Sequence, residues 1–123
     1  MKLVSDLLIA FVAALHLYIL WLEMFAWTTR GRKVFKSLPA DLFEKTKTLA
    51  ANQGLYNGFL AAGLVWSLLI SDPAWSANTA YFFLTCIFVA GIYGALTAQK
   101  RILFVQAVPA ALAIIFTYLA NRA

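Results

Sequence analysis

Glu23 and His16 stand seven residues apart in a run, Leu3 to Trp27, that is long enough and apolar enough to cross a bilayer. On a helix that spacing aligns them on one face, together with Leu20 and Trp27. A carboxyl group there can act as acid, base or hydrogen-bond acceptor, and a histidine two turns away can relay protons or donate one hydrogen bond to a neighbouring helix. In hydrocarbon a carboxylate is costly unless something polar meets it. Three later apolar runs each carry such a group: Asn52, Gln53, Tyr56 and Asn57 in the second, Tyr93 in the third, and Gln106 in the fourth, with Arg101 just ahead of it. The combination points to a polar pocket in which Glu23 and His16 supply acid–base chemistry. The amides and phenols would orient a ligand, and Arg101 would attract an anionic head group.

Depth supports grouping them. At a rise of ~1.5 Å per residue, Glu23, Asn52, Tyr93 and Gln106 all fall roughly 6–7 Å inside the same membrane boundary. On the second run, Asn52, Gln53, Tyr56 and Asn57 form one arc and are expected to face the pocket. Gly54 and Gly58, on another arc at GxxxG spacing, would let helices approach closely. Ala90, Gly94 and Ala98 repeat that small-residue spacing on the third run.

The elements that must position these groups are four apolar runs: roughly 3–27, 48–70, 79–98 and 102–120. Each approaches the ~20 residues that span about 30 Å of hydrocarbon. Helices are required, because lipid offers no partner for backbone amides. The expected fold class is an all-α integral membrane protein, a single domain over residues 1–123. Its architecture would be a four-transmembrane-helix bundle with the second helix extended into the cytosol. That extension is read from Pro39, which suits a first helical turn, and from Asp41 and Lys45, an acid-first pair four residues apart. The first run continues well past the apolar core of a signal peptide, and is read as a retained helix.

Composition agrees. The chain has 123 residues, 63% of them hydrophobic and only 12% charged, with mean hydropathy +0.81. A soluble domain this small could not bury so much apolar surface. The net charge of +5 would fit nucleic acid, but its distribution does not. Arg30, Arg32, Lys33, Lys36, Lys45 and Lys47 lie in one connection, Lys100 and Arg101 in another, and both connections fall on the same side of a four-span protein. The positive-inside rule accounts for them, placing both in the cytosol of a multi-pass inner-membrane protein and both termini outside. Arg30 to Lys33 read as a flexible basic turn able to contact anionic lipid. Cys86, the single cysteine, reads as a buried packing residue and excludes an intrachain disulfide. With one histidine and no carboxylate pair, a metal site is not expected, and the cofactor, if any, is left open.

The segments WLEMFAWTTRGRKVF (21–35), TKTLAANQGLYNGFLAAGLVW (46–66) and AGIYGALTAQKRILFVQAVPA (90–110) resemble the domain of unknown function 1304 family of bacterial integral membrane proteins, with ANQGLYNG and AGIYG the most specific stretches. That resemblance implies the topology and no particular activity. A more distant architectural similarity is to the membrane-associated eicosanoid and glutathione metabolism proteins, which are trimers with sites between subunits. There the resemblance implies a role for Asn52 and Arg101. However, the arginines of that family's second helix correspond to Thr48 and Ala51 here, and its acidic residue to Leu55. The similarity therefore carries architecture rather than glutathione chemistry.

Three functions fit these residues. The first is an intramembrane pocket near the cytosolic face, binding or transforming a small or lipophilic ligand. The second is a proton-coupled transporter or channel using His16 and Glu23. The third is a structural subunit in which the polar layer only holds helices together. Whether the protein is an enzyme is left open. The expected partners are membrane lipids, a small-molecule ligand and further copies of the chain, a trimer among the options.

Overall fold

The computed structural model describes residues 1–122, and they are mostly helical with no strand among them. Within these residues six α-helices follow in order: α1 (Lys2–Phe25), α2 (Arg30–Val34), α3 (Leu42–Lys45), α4 (Lys47–Leu69), α5 (Pro73–Thr97) and α6 (Val108–Arg122). A π-helical turn, Leu103–Ala107, leads directly into α6. Among the described residues three helical stretches are long and apolar enough to cross a membrane: α1, α5, and the π turn with α6. At 23 residues α4 has the length, but Asn52, Gln53 and Asn57 make its first half less apolar.

The chain forms two compact units, Met1–Ala13 with Ala62–Ala123, and Ala14–Ala61. In the first, the positions of α5 that are buried are Ala77, Ala80, Leu84, Ile87 and Gly91, a stripe at helical spacing. On α6 they are Ala110, Ala113 and Thr117. Apart from Leu84 and Ile87, many of the large side chains point outward: Phe82, Val89 and Leu96 on α5, Phe104 in the π turn, and Leu112 and Ile115 on α6 are all exposed. Small residues inside and large apolar ones outside is the pattern of helices that pack closely in lipid, where the surroundings are as apolar as leucine. Gly91 shows how close the approach is. A Cβ there would lie 2.8 Å from the backbone nitrogen of Ala107.

The π turn has a local cause. Pro109 has no N–H and its ring collides with the carbonyl four residues earlier, so a regular helix cannot pass through it unstrained. Here Val108 N–H donates instead to the Leu103 carbonyl, five residues back, which widens the turn. At the start of α5, Asp72 accepts from Trp75 N–H at 2.9 Å and Pro73 occupies the first helical turn. Such a cap contributes about 1 kcal/mol, and it starts the helix well ahead of the apolar run at Thr79. Buried hydroxyls complete the unit. Ser5 Oγ and Thr117 Oγ1 share a hydrogen bond of 2.8 Å, and Ser76 Oγ donates to the Ser67 carbonyl at 2.8 Å.

In the second unit the C-terminal half of α1 packs on the N-terminal half of α4. Gly54 makes this possible: a Cβ there would stand 3.1 Å from the Leu20 carbonyl oxygen and 3.0 Å from Glu23 Cβ. Gly58 faces the Leu20 side chain. The glycine spacing thus serves close helix contact, as the sequence suggests.

Three expectations need correction. Residues 30–34 are not a flexible turn. They form the one-turn helix α2, with Gly31 buried against Trp27. The extension ahead of α4 starts at Leu42 rather than Pro39, and it is interrupted at Thr46, whose ψ of 7° leaves the helical range. The Thr46 hydroxyl explains the break. It donates to the Leu42 carbonyl at 2.7 Å and accepts from Trp27 Nε1 at 3.0 Å, tying the junction to the end of α1. Finally, Cys86 is exposed, not buried.

Candidate functional site

On α1, His16 and Glu23 share the buried face read from their spacing. His16 is wholly buried and Glu23 is 4% exposed. The helix carries them there because Val12, Ala13, Leu22 and Ala26 are buried around the same side, while Leu17, Trp21 and Phe25 face outward. On the part of α4 within this unit the buried positions are Ala50, Gly54 and Ala61, with Asn57 and Gly58 half-buried beside them.

Asn57 meets the acid. Its Nδ2 donates to Glu23 Oε1 at 2.7 Å and to the Gln53 carbonyl, one turn back, at 3.1 Å. Both amide hydrogens are thereby used. The second bond fixes the rotamer that delivers the first. The close helix approach at Gly54, one turn away, sets the distance. A carboxyl group can accept more hydrogen bonds than the one that Asn57 supplies, and this remaining capacity is what a bound molecule could use.

The other sequence-derived residues are distributed differently. Asn52 is exposed and its side chain caps backward onto the Thr48 carbonyl at 3.2 Å. Gln53 is exposed and contributes only its carbonyl to Asn57. Tyr56 is exposed and lies beside the Phe59 ring. In the other compact unit Tyr93 is 70% exposed, Arg101 is exposed, and Gln106 is half-buried within the π turn. Within unit Ala14–Ala61, then, Asn57 is the residue that reaches Glu23, and Asn52, Gln53 and Tyr56 turn to the outer side of α4. Among the described residues no group of three or more His, Cys, Asp or Glu side chains could hold a metal ion.

Two features were not read from the sequence. The first is a cavity of about 150 Å³ in the unit Met1–Ala13 with Ala62–Ala123, whose polar lining includes Ser5, Asp6, Ser76, Thr117 and Asn121. Serines and threonines in apolar runs gave the only signal for it. The second is the folded basic connection. Trp27 packs against Phe35 and Phe43, with ring centroids 5.3 and 5.2 Å away. Arg32 lies over the Phe43 ring at 5.2 Å and donates to the carbonyls of Thr28 and Ala40 at 2.6 and 2.8 Å. The spacing of the aromatic residues 27, 35 and 43 was the available clue.

The residues of this site and of the basic connection all fall within 10–118, the segment that matches the family described as "Protein of unknown function (DUF1304)". The chain belongs to this family. A relative, the uncharacterized protein YpaA of Lactococcus lactis subsp. lactis (strain IL1403), is 29% identical over 120 residues, covering 96% of this chain and 99% of that protein. The similarity is therefore end to end, not confined to one helix. No solved structure matches the chain.

Proposed function

We propose that this member of the family is a small multi-pass protein of the bacterial inner membrane, with four spanning helices and a polar intramembrane pocket near the cytosolic face that binds or transforms a small or lipophilic ligand. The observation that carries the reading is the buried Glu23 carboxyl, held by Asn57 from a second helix. Asparagine or glutamine alone would hold two helices together without bringing an acid into the membrane, so an acid retained there favours a functional role. α4 would be the second of the four spans, α3 its cytosolic extension. The basic residues of the connections would lie in the cytosol by the positive-inside rule.

The reading includes self-association. Asn52, Gln53 and Tyr56 are exposed on one chain, and amides facing hydrocarbon are costly. A second copy covering this outer face of α4, away from the Gly54 contact, would remove the cost. A trimer is the count implied by the distant architectural resemblance.

Glu23→Gln tests the proposal. It keeps a side chain that can hydrogen-bond Asn57 but removes the acid. Native mass spectrometry of the full chain released from lipid nanodiscs is expected to show a bound small molecule on the wild type. The variant should show the same subunit count with that molecule lost. An identical retained mass on both would remove Glu23 from any ligand role.

A further inference from the structure

The folded basic connection forms a second feature, distinct from Glu23. Between α2 and α3 lies an open cleft of about 410 Å³, lined by Arg32, Lys36, Ser37, Leu38, Pro39, Ala40 and Phe43. That volume is within the roughly 300–1,000 Å³ of small-molecule clefts. Its chemistry is one-sided. Arg32 and Lys36 line it and no acid does. The nearest acids in sequence are Asp41, exposed and engaged with Lys45 at 3.3 Å, and Glu44, which is exposed.

Arg32 is held ready. Its Nε donates to the Thr28 carbonyl, one Nη1 hydrogen goes to the Ala40 carbonyl, and the guanidinium plane is supported by the Phe43 ring. A guanidinium has five N–H donors, so further donors remain for an anion. Phe43 is 2% exposed and packs on Trp27, which hydrogen-bonds Thr46. The wall behind Arg32 is therefore rigid, and little ordering is left for a ligand to impose. Lys36 and Ser37, both at the rim, add a mobile cation and a hydroxyl.

The cleft's place in the chain identifies the anion's source. Arg32 comes seven residues after the end of α1, a helix fit to cross a membrane. Trp27, a residue type enriched at membrane interfaces, packs directly behind it. We infer that the cleft between α2 and α3 is a site for the phosphate of an anionic phospholipid headgroup, with Arg32 as the fixed donor and Lys36 and Ser37 closing on the phosphate. This site is independent of the Glu23 pocket and would stand if that pocket had no ligand.

The test uses the full chain in nanodiscs of phosphatidylcholine with or without phosphatidic acid, read by native mass spectrometry of retained lipid and by the fluorescence of the tryptophans, Trp27 being the one behind the cleft. Retention of phosphatidic acid over phosphatidylcholine is expected. Lys36→Gln should weaken it about fivefold, the contribution of one basic residue near a lipid surface. Arg32→Gln should weaken it roughly tenfold or more. Since Arg32 also braces the connection, the decisive variant is Lys36→Gln, whose side chain takes no part in the packing described above. Lys47→Gln removes the same charge at the first residue of α4, outside the cleft, and should leave retention nearly unchanged. Equal weakening by Lys36→Gln and Lys47→Gln would overturn the inference in favour of diffuse attraction. So would retention that ignores lipid charge. Displacement of the fluorescence signal by inorganic phosphate, with no preference for phosphatidic acid, would likewise overturn the lipid assignment and make the site one for soluble phosphate.

Discussion

Gly54→Val is expected to destabilise the protein by about 3 kcal/mol, in the upper range for overpacking. The neighbours decide this. A Cβ at Gly54 would meet Met24 Cγ at 2.8 Å, Glu23 Cβ at 3.0 Å and the Leu20 carbonyl oxygen at 3.1 Å. Met24 can rotate aside, but the other two are fixed to the α1 backbone, so relief requires α1 and α4 to move apart. Valine adds two methyl groups to the conflict. The separation would also lengthen the 2.7 Å bond between Asn57 and Glu23. Gly58→Ala is the internal control. A Cβ there meets only the Leu20 side chain, which can shift, and its cost should be well under half. Reversible unfolding in detergent, followed by circular dichroism, gives both values.

Asn57→Leu is expected to cost about 2 kcal/mol, because it leaves a buried carboxyl without its donor. The result that matters is the double variant. Glu23→Met with Asn57→Leu removes both polar partners and should recover most of the loss, since replacing both members of a buried pair by apolar groups can be nearly neutral. The coupling energy between the sites should be near ~1–2 kcal/mol, the upper range measured for hydrogen bonds between membrane helices. If the two single losses simply added, Glu23 and Asn57 would not be partners, and the packing of α1 on α4 would rest on the glycines alone.

The sequence disclosed the acid and the contact face, but not the assignment of the amides. Glu23 stood out because it is the one glutamate in a long apolar run, and the cost of burying it predicts a polar partner. Gly54 and Gly58 marked where α4 could approach another helix. The four polar residues beside them form an arc wide enough to cross from the contact face to the opposite side of the helix. At about 100° per residue, Asn57 falls roughly 60° from Gly54, while Asn52 falls roughly 160° away. Asn57 therefore shares the glycine face and Asn52 does not, a division fixed only once the contact is centred on Gly54.

Other features depended on interactions that periodicity does not encode. The widened turn at Leu103–Ala107 follows from Pro109, whose effect falls on the residues before it. The break at Thr46 comes from a hydroxyl shared between Leu42 and Trp27, residues on two different elements. The basic connection looked mobile because it is charged and contains Gly31. It is folded because Trp27, Phe35 and Phe43, far apart in sequence, cluster together. Cys86 was assigned by residue type, and in helices whose large apolar side chains face outward, residue type is a poor guide to burial.

The central claim is that the Glu23 carboxyl is enclosed between α1 and α4 and held there by Asn57. Solid-state NMR of the full chain in lipid bilayers tests it directly, using ¹³C-labelled glutamate and ¹⁵N-labelled asparagine. The account predicts dipolar transfer between Glu23 Cδ and Asn57 Nδ2, abolished by Asn57→Leu, with no contact between the carboxyl and lipid chains. A carboxyl that shows cross-peaks to acyl chains or bulk water, and none to Asn57, would contradict it.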